Sequence, residues 1–148
     1  MKTVSLVQCE SYEQELLQEK LIQTLVNIGF DLCSLRDARV LVKPNLLTGV
    51  PREKAVVTDR EFFRTVVKII IEHGGQPVLV ESPAAMPLPK VLKKTGYDEI
   101  IAEYNIEVAD LAETMVIHND AGVRFKRFEV AAAASDADIV FNLPKFKT

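Results

Sequence analysis

The sequence predicts an α/β fold: a doubly wound, largely parallel sheet of about five strands with a small β-hairpin insertion. Three observations carry this. Short all-apolar runs, Val40-Leu41-Val42 and Ile139 to Leu143 among them, have the composition of strands buried on both faces of a parallel sheet. Helical patterns separate the strands, and glycines stop those helices just before the next strand. Two strands also end alike, at Lys43-Pro44-Asn45 and at Asn142-Leu143-Pro144-Lys145. Proline lacks a donor for a sheet ladder and biases its predecessor to an extended conformation, so both strands stop there.

In chain order, Thr3-Val4-Ser5-Leu6-Val7 reads as a first strand. Ser11 to Gln14 has the form of a capping box, with Ser11 as N-cap. The helix behind it runs to about Ile28, with Leu17, Leu21, Leu25 and Ile28 at helical spacing and Gly29 as the stop. Residues 30–38 connect to the strand at Val40–Val42. Residues 46–57 form a loop, with a charged tip at Arg52-Glu53-Lys54, that is long for a plain βα connection. Thr58 to Glu61 reads as a second capping box. The helix Phe62–Glu72 is apolar over most of its girth and belongs flat against the sheet. His73 is a last-turn residue before Gly74-Gly75.

Gln76 to Val80 is the next strand, ending at Glu81-Ser82-Pro83. Pro87 or Pro89 opens a short helix that Gly96 ends, and Tyr97–Tyr104 makes another. Ile106 to Ala109 follows as a strand. Met115–His118 and Val123–Phe128 read as a hairpin around Asn119–Gly122, its second arm alternating apolar and basic residues so that the basic ones form a solvated face. Val130–Ala134 reads as a helical turn before the closing strand.

The chain of 148 residues has the size of one domain, here read as residues 1–148 and as the N-terminal portion of a longer protein. A net charge of −3 gives no electrostatic footprint for nucleic acid. No apolar run reaches the roughly 18 residues of a membrane span, and no signal peptide is visible, so the expected location is cytoplasmic with no membrane partner. The two cysteines, Cys9 and Cys33, have no metal or cluster spacing and read as reduced thiols suited to small buried sites. No G-x-G-x-x-G, P-loop or nucleophile-elbow motif is present.

In open α/β sheets ligands bind beyond the carboxyl ends of the strands. The residues collected there are Lys43, Asn45, Ser82, Asn142, Lys145 and Lys147, with Glu81 beside them and Thr58 at the start of a helix. Lysines, amides and a helix N-terminus together suit an anion such as a phosphate or carboxylate. The alternative is a non-catalytic docking domain, its rim receiving the missing C-terminal half of the chain or a partner protein. A small hydrolase or transferase would need a nucleophile–base pair, and Glu81 beside Ser82 is the nearest approach to one.

The blocks Val40-Leu41-Val42-Lys43-Pro44-Asn45-Leu46, Thr58 opening a helix, His73-Gly74-Gly75, Val80-Glu81-Ser82-Pro83, Gly96-Tyr97 and Asp136 to Thr148 resemble the domain-of-unknown-function family 362. The sequence departs from that pattern at Glu81–Ala84, where the family usually has a shorter acid and a glycine. The resemblance implies an association with ferredoxin-like [4Fe–4S] segments. It places any such cluster in a C-terminal part beyond this chain, with no cofactor held here. The function expected is therefore an anion-binding domain of an iron–sulfur-associated, redox-linked protein. Its partners would be an anionic small molecule, the remainder of the natural chain and, in one reading, a second copy.

Overall fold

The computed structural model describes residues 2–147. Thr148, the last residue of the closing block, lies outside them. The elements are α1 (Gln14–Asn27), β1 (Arg39–Pro44), α2 (Arg60–Glu72), β2 (Gln76–Leu79), α3 (Leu88–Thr95), α4 (Tyr97–Tyr104), β3 (Glu107–Val108), β4 (Thr114–His118), β5 (Arg127–Ala131) and β6 (Ile139–Leu143). Four parallel strands form one sheet in the order β3-β2-β1-β6, and β4 and β5 pair antiparallel as a separate hairpin.

The topology follows from two directions of travel. From β1 the chain steps through α2 to β2, then through α3 and α4 to β3, always toward the same edge. Right-handed crossovers in one direction lay their helices on one face. That face holds the main core, where Val40, Val42, Leu79 and Leu143 meet Phe63, Val67, Tyr97 and Ile100. The chain then returns past β1 and adds β6 on its other side. Residues of this return, Leu111, Ala133 and Ala137, cover the opposite face at Leu41, Val78, Val80 and Ala109. Strand order therefore reverses between β1 and β6, which makes a crevice at their carboxyl ends.

Alternation sorts each strand between the two faces. In β1, Val40, Val42 and Pro44 face the helices, while Leu41 and Lys43 face the other way. The register sets Lys43 opposite Asn142 and Pro44 opposite Leu143. The two similar strand ends of the sequence are thus parallel neighbours.

Several local expectations shift. Residues 3–7 are not a strand here: they pair with nothing, and Val4 and Leu6 are 90% and 98% exposed. Strand propensity without a ladder partner leaves the backbone unpaired. Helix α1 is capped by Glu13, whose carboxylate accepts from the N–H of Glu15 and Leu16, and Ser11 instead accepts from Glu13 N. Asp59, not Thr58, caps α2. Both changes follow from the helix starting later than the box pattern implied, which hands the cap to the nearest carboxylate.

The second hairpin arm is Arg127–Ala131, and the alternating residues Val123 to Lys126 belong to the loop. Outside a ladder nothing buries their apolar members, and Val123 is 98% exposed. The helical turn shortens to Ala132–Ala134. Cys9 and Cys33 are exposed, so neither fills the buried site expected for it.

Candidate functional site

Thr58 sits where the β1–β6 crevice opens. It is buried, and its hydroxyl donates to Leu143 O at 2.6 Å while accepting from Asn45 N at 2.9 Å. Thr58 N in turn donates to Asn45 O at 3.0 Å. One side chain therefore ties the ends of both strands, past the last ladder bond, to the start of α2. Tyr97 reinforces the tie from α4, donating its phenol to Thr58 O at 3.0 Å. Burial pushes that phenol well above its ordinary value, with Asp59 and Glu81 adding to the shift.

A cleft of about 740 Å³ lies above this tie, on the helix-bearing side. Its walls come from the loop 50–57, the start of α2, the α3–α4 junction and Lys145 after β6. The loop is pinned by Arg52, whose guanidinium forks onto Asp59 at 2.7 and 3.0 Å and lies 5.3 Å over the ring of Tyr12. The hydrogen bond to Asp59 raises the Arg52 pKa above its ordinary value. Arg60 is occupied by Glu61 and Glu99. Lys93, Lys94 and Lys145 have no carboxylate partner among the described residues, so the cleft keeps an excess of positive charge beside the N-terminus of α2.

Two glycines allow this approach of chains. A Cβ on Gly49 would come within 2.8 Å of Lys94 Cδ, so the lysine stem lies directly on the loop backbone. Gly96 joins α3 to α4 at φ +73°, and the Arg60 guanidinium occupies the space a Cβ would need.

The candidates from the sequence divide between the two sides of the sheet. Thr58 and Lys145 line the cleft. Lys43 and Asn142 do not; they are register partners on the opposite face. Lys43 Nζ lies 3.2 Å from Glu81 Oε2, and Glu81, 7% exposed, also accepts from Leu46 N at 3.1 Å and Ser82 N at 2.8 Å. This carboxylate therefore joins the ends of β1 and β2. Ser82 contributes its backbone N–H there. Lys147 is exposed and lines no part of the cleft. Asn45 Oδ1 is buried without a hydrogen-bond partner among the described residues, an acceptor that sequence reading could not have shown to be unmatched. Reading by strand ends missed Lys93, Lys94, Arg52, Arg60 and Tyr12, which come from helices and from the loop.

Comparison with known proteins agrees with the placement of these blocks. The family described as "Domain of unknown function (DUF362)" matches residues 40–148, from β1 through the residues after β6. The chain belongs to the DUF362 family. The "Thylakoid-associated protein sll1697" of Synechocystis sp. is 31% identical to it over 149 residues, covering all of this chain and 46% of that protein. The chain thus spans about half the length of this relative. No solved structure matches.

The described residues do not by themselves supply the ligands of an iron–sulfur cluster. A [4Fe–4S] cluster takes four thiolates, and the chain has two cysteines. No group of three or more His, Cys, Asp or Glu could hold a metal ion among the described residues. No described helix is long and apolar enough to cross a membrane.

Proposed function

We propose that this chain is an anion-binding α/β domain whose ligand occupies the cleft above Thr58. The observation that carries the reading is the convergence of Lys93, Lys94 and Lys145, without carboxylate partners among the described residues, on a concave space beside the start of α2. Lysine suits such a role as a compact, mobile point charge. A phosphate- or carboxylate-bearing small molecule is the ligand class, with Thr58 and Tyr97 holding the floor of the cleft and Gly49 and Gly96 letting its walls close in. Lys43 and Asn142 serve the opposite face and take no direct part.

The test uses inorganic phosphate as the probe. Phosphate at millimolar concentration raises the thermal midpoint of the parent chain, by the ordinary linkage of binding to folding. A Lys94→Ala, Lys145→Ala variant loses that rise while keeping its urea midpoint in buffer, and Lys43→Ala retains the rise. An undiminished phosphate response in the double variant would place the anion elsewhere.

The wider reading is redox-linked: an anion-binding domain working with an iron–sulfur segment carried outside these residues. The resemblance to iron–sulfur-associated members of the family supports it. The setting proposed is cytoplasmic, where exposed thiols such as Cys9 and Cys33 stay reduced. The relative's name assigns that protein to the thylakoid, so fractionation of the native host cell is the direct check.

A second reading, a docking domain, is favoured by one observation. β6 is an edge strand, and Val140 on it is 56% exposed.

A further inference from the structure

The outer edge of β6 carries an apolar groove of about 390 Å³. One wall is β6 itself, from Ile139 to Leu143, and the other is α1 at Leu21, Leu25 and Ile28. A sheet edge beside an apolar groove is a template for one more strand. We infer that the strand it takes is the chain's own Thr3–Val7 segment, docking parallel to β6 and delivering Gln8 and Cys9 to the carboxyl rim of the sheet.

Direction is the first argument. Gln14, at the start of α1, reaches Glu61 at the start of α2, so α1 begins at the carboxyl rim of the sheet. Its other end is tied to the N-terminal segment, Asn27 Nδ2 donating to Ser5 Oγ at 3.1 Å. Tyr12 is back at the rim, under Arg52. The chain from Ser5 to Tyr12 therefore travels from the far end of the sheet to the rim, in the direction of β6. Seven extended steps cover about 23 Å, which matches the roughly 21 Å of the 14-residue α1 beside it. Docking needs a sideways movement and a turn of the segment about its own axis that releases Ser5 from Asn27 and brings Val4 and Leu6 to the groove, with no reversal of the chain.

Handedness is the second argument. A strand outside β6, followed by α1 and then β1, steps in the same direction as β1-α2-β2. A right-handed crossover then puts α1 on the same face as α2. That is where α1 is, with Gln14 on Thr65 and Gln18 on Glu72. Docking on the sheet's other edge, beside β3, would require the opposite hand or the opposite face.

Composition is the third argument. Val4 and Leu6 are two residues apart, so an extended chain turns both to one side. They are almost fully exposed in the undocked arrangement, and the groove beside α1 is mostly apolar. Docked in parallel, the segment ends at the carboxyl rim, where Gln8 and Cys9 would stand next to Asn142 and Lys145. This inference does not rest on the anion reading, and its test needs no ligand.

The test is amide exchange and NOE mapping by NMR on the isotopically labelled chain. Docking predicts that alternate amides of residues 3–7 exchange at least about 30-fold more slowly than in a random coil. It also predicts NOEs from them to residues 139–143 of the same molecule. Leu6→Pro, which lies outside the core, should abolish both and raise binding of an apolar dye at the groove. Coil-like exchange at all five amides would overturn the inference. So would NOEs found only between differently labelled molecules, which would mean pairing between copies.

Discussion

Replacing Thr58 by valine removes one hydroxyl and leaves the side-chain volume almost unchanged. The hydroxyl makes two bonds in a buried position, to Leu143 O at 2.6 Å and from Asn45 N at 2.9 Å. Without it the carbonyl of Leu143 and the N–H of Asn45 lose those partners where water has little access. Each deserted group costs about 1–3 kcal/mol, and the added methyl recovers under about 1 kcal/mol. The net loss is about 1–5 kcal/mol, out of a total stability of order 5–15 kcal/mol for a domain. With a urea dependence of roughly 2 kcal/mol per molar, the unfolding midpoint falls by about 0.5–2.5 M. Thr58→Ser is the control. It keeps both bonds, loses one methyl and costs about 0.5–1.5 kcal/mol. Equilibrium urea unfolding of the three proteins decides the matter. If valine matches the parent, or if serine is worse than valine, the hydroxyl does not tie β1 to β6 and Thr58 acts only by packing.

Glu107 accepts a fork from Arg39 at 2.8 and 2.6 Å, and that bonding holds its carboxyl below the ordinary value. A lowered folded-state pKa adds stability above the ordinary carboxylate range and loses it as pH falls through the folded value. The pair is half exposed, so Glu107→Gln costs at most about 1 kcal/mol at pH 7 and flattens the acid limb of a pH–stability profile below about pH 4.5. Tyr97 has the opposite sign. Its raised pKa gives stability that is complete below about pH 10 and lost as pH climbs through the folded value, so its absorbance at 295 nm should change only with unfolding. Tyr97→Phe removes that alkaline limb and about 1 kcal/mol at neutral pH, the worth of its bond to Thr58 O. Gly96→Ala meets both a left-handed φ of +73° and the Arg60 guanidinium, so urea unfolding should show a loss of about 1–2 kcal/mol, part of it recovered by adding Arg60→Ala.

The parallel sheet was legible because its strands are marked by composition that no other element shares. Val40–Val42 and Ile139–Leu143 are short, apolar and closed by proline, and they did prove to be neighbours. The two short helices were legible from Pro87 and Gly96, whose backbone preferences act locally. What depended on partners was not. Thr3–Val7 has the residues of a strand, but a strand exists only through pairing, and one sequence does not print its partner. The hairpin register slipped because alternation in Val123–Phe128 fits a strand as well as an exposed loop, and the bond from Asn119 N to Lys126 O settles it. The cleft was half legible: Thr58 and Lys145 follow from strand ends, while Lys93 and Lys94 reach it only because α3 folds back over Gly49.

The same limit explains why Lys43 and Lys145, which look equivalent in sequence, should behave differently. Alternation points Lys43 away from the helices, and at the rim of the sheet its charge is matched by Glu81. Yet Lys43 is the lesser partner of that carboxylate. Its side chain is 47% exposed, whereas Glu81 also receives the N–H of Leu46 and of Ser82. Removing Lys43 leaves those two amide bonds intact and returns solvent to one side of the acid, so Lys43→Ala should cost about 1 kcal/mol or less. Removing the acid by Glu81→Leu deserts two backbone N–H groups and should cost about 2–4 kcal/mol. In a double-mutant cycle the coupling should then be under about 1 kcal/mol, because most of what Glu81 does is hold the ends of β1 and β2 together. A coupling near the full cost of Glu81→Leu would reverse that assignment. The ion pair would then be the reason for the buried acid, and Lys43 would owe its place in the Lys-Pro-Asn block to Glu81 and not to proximity to the cleft.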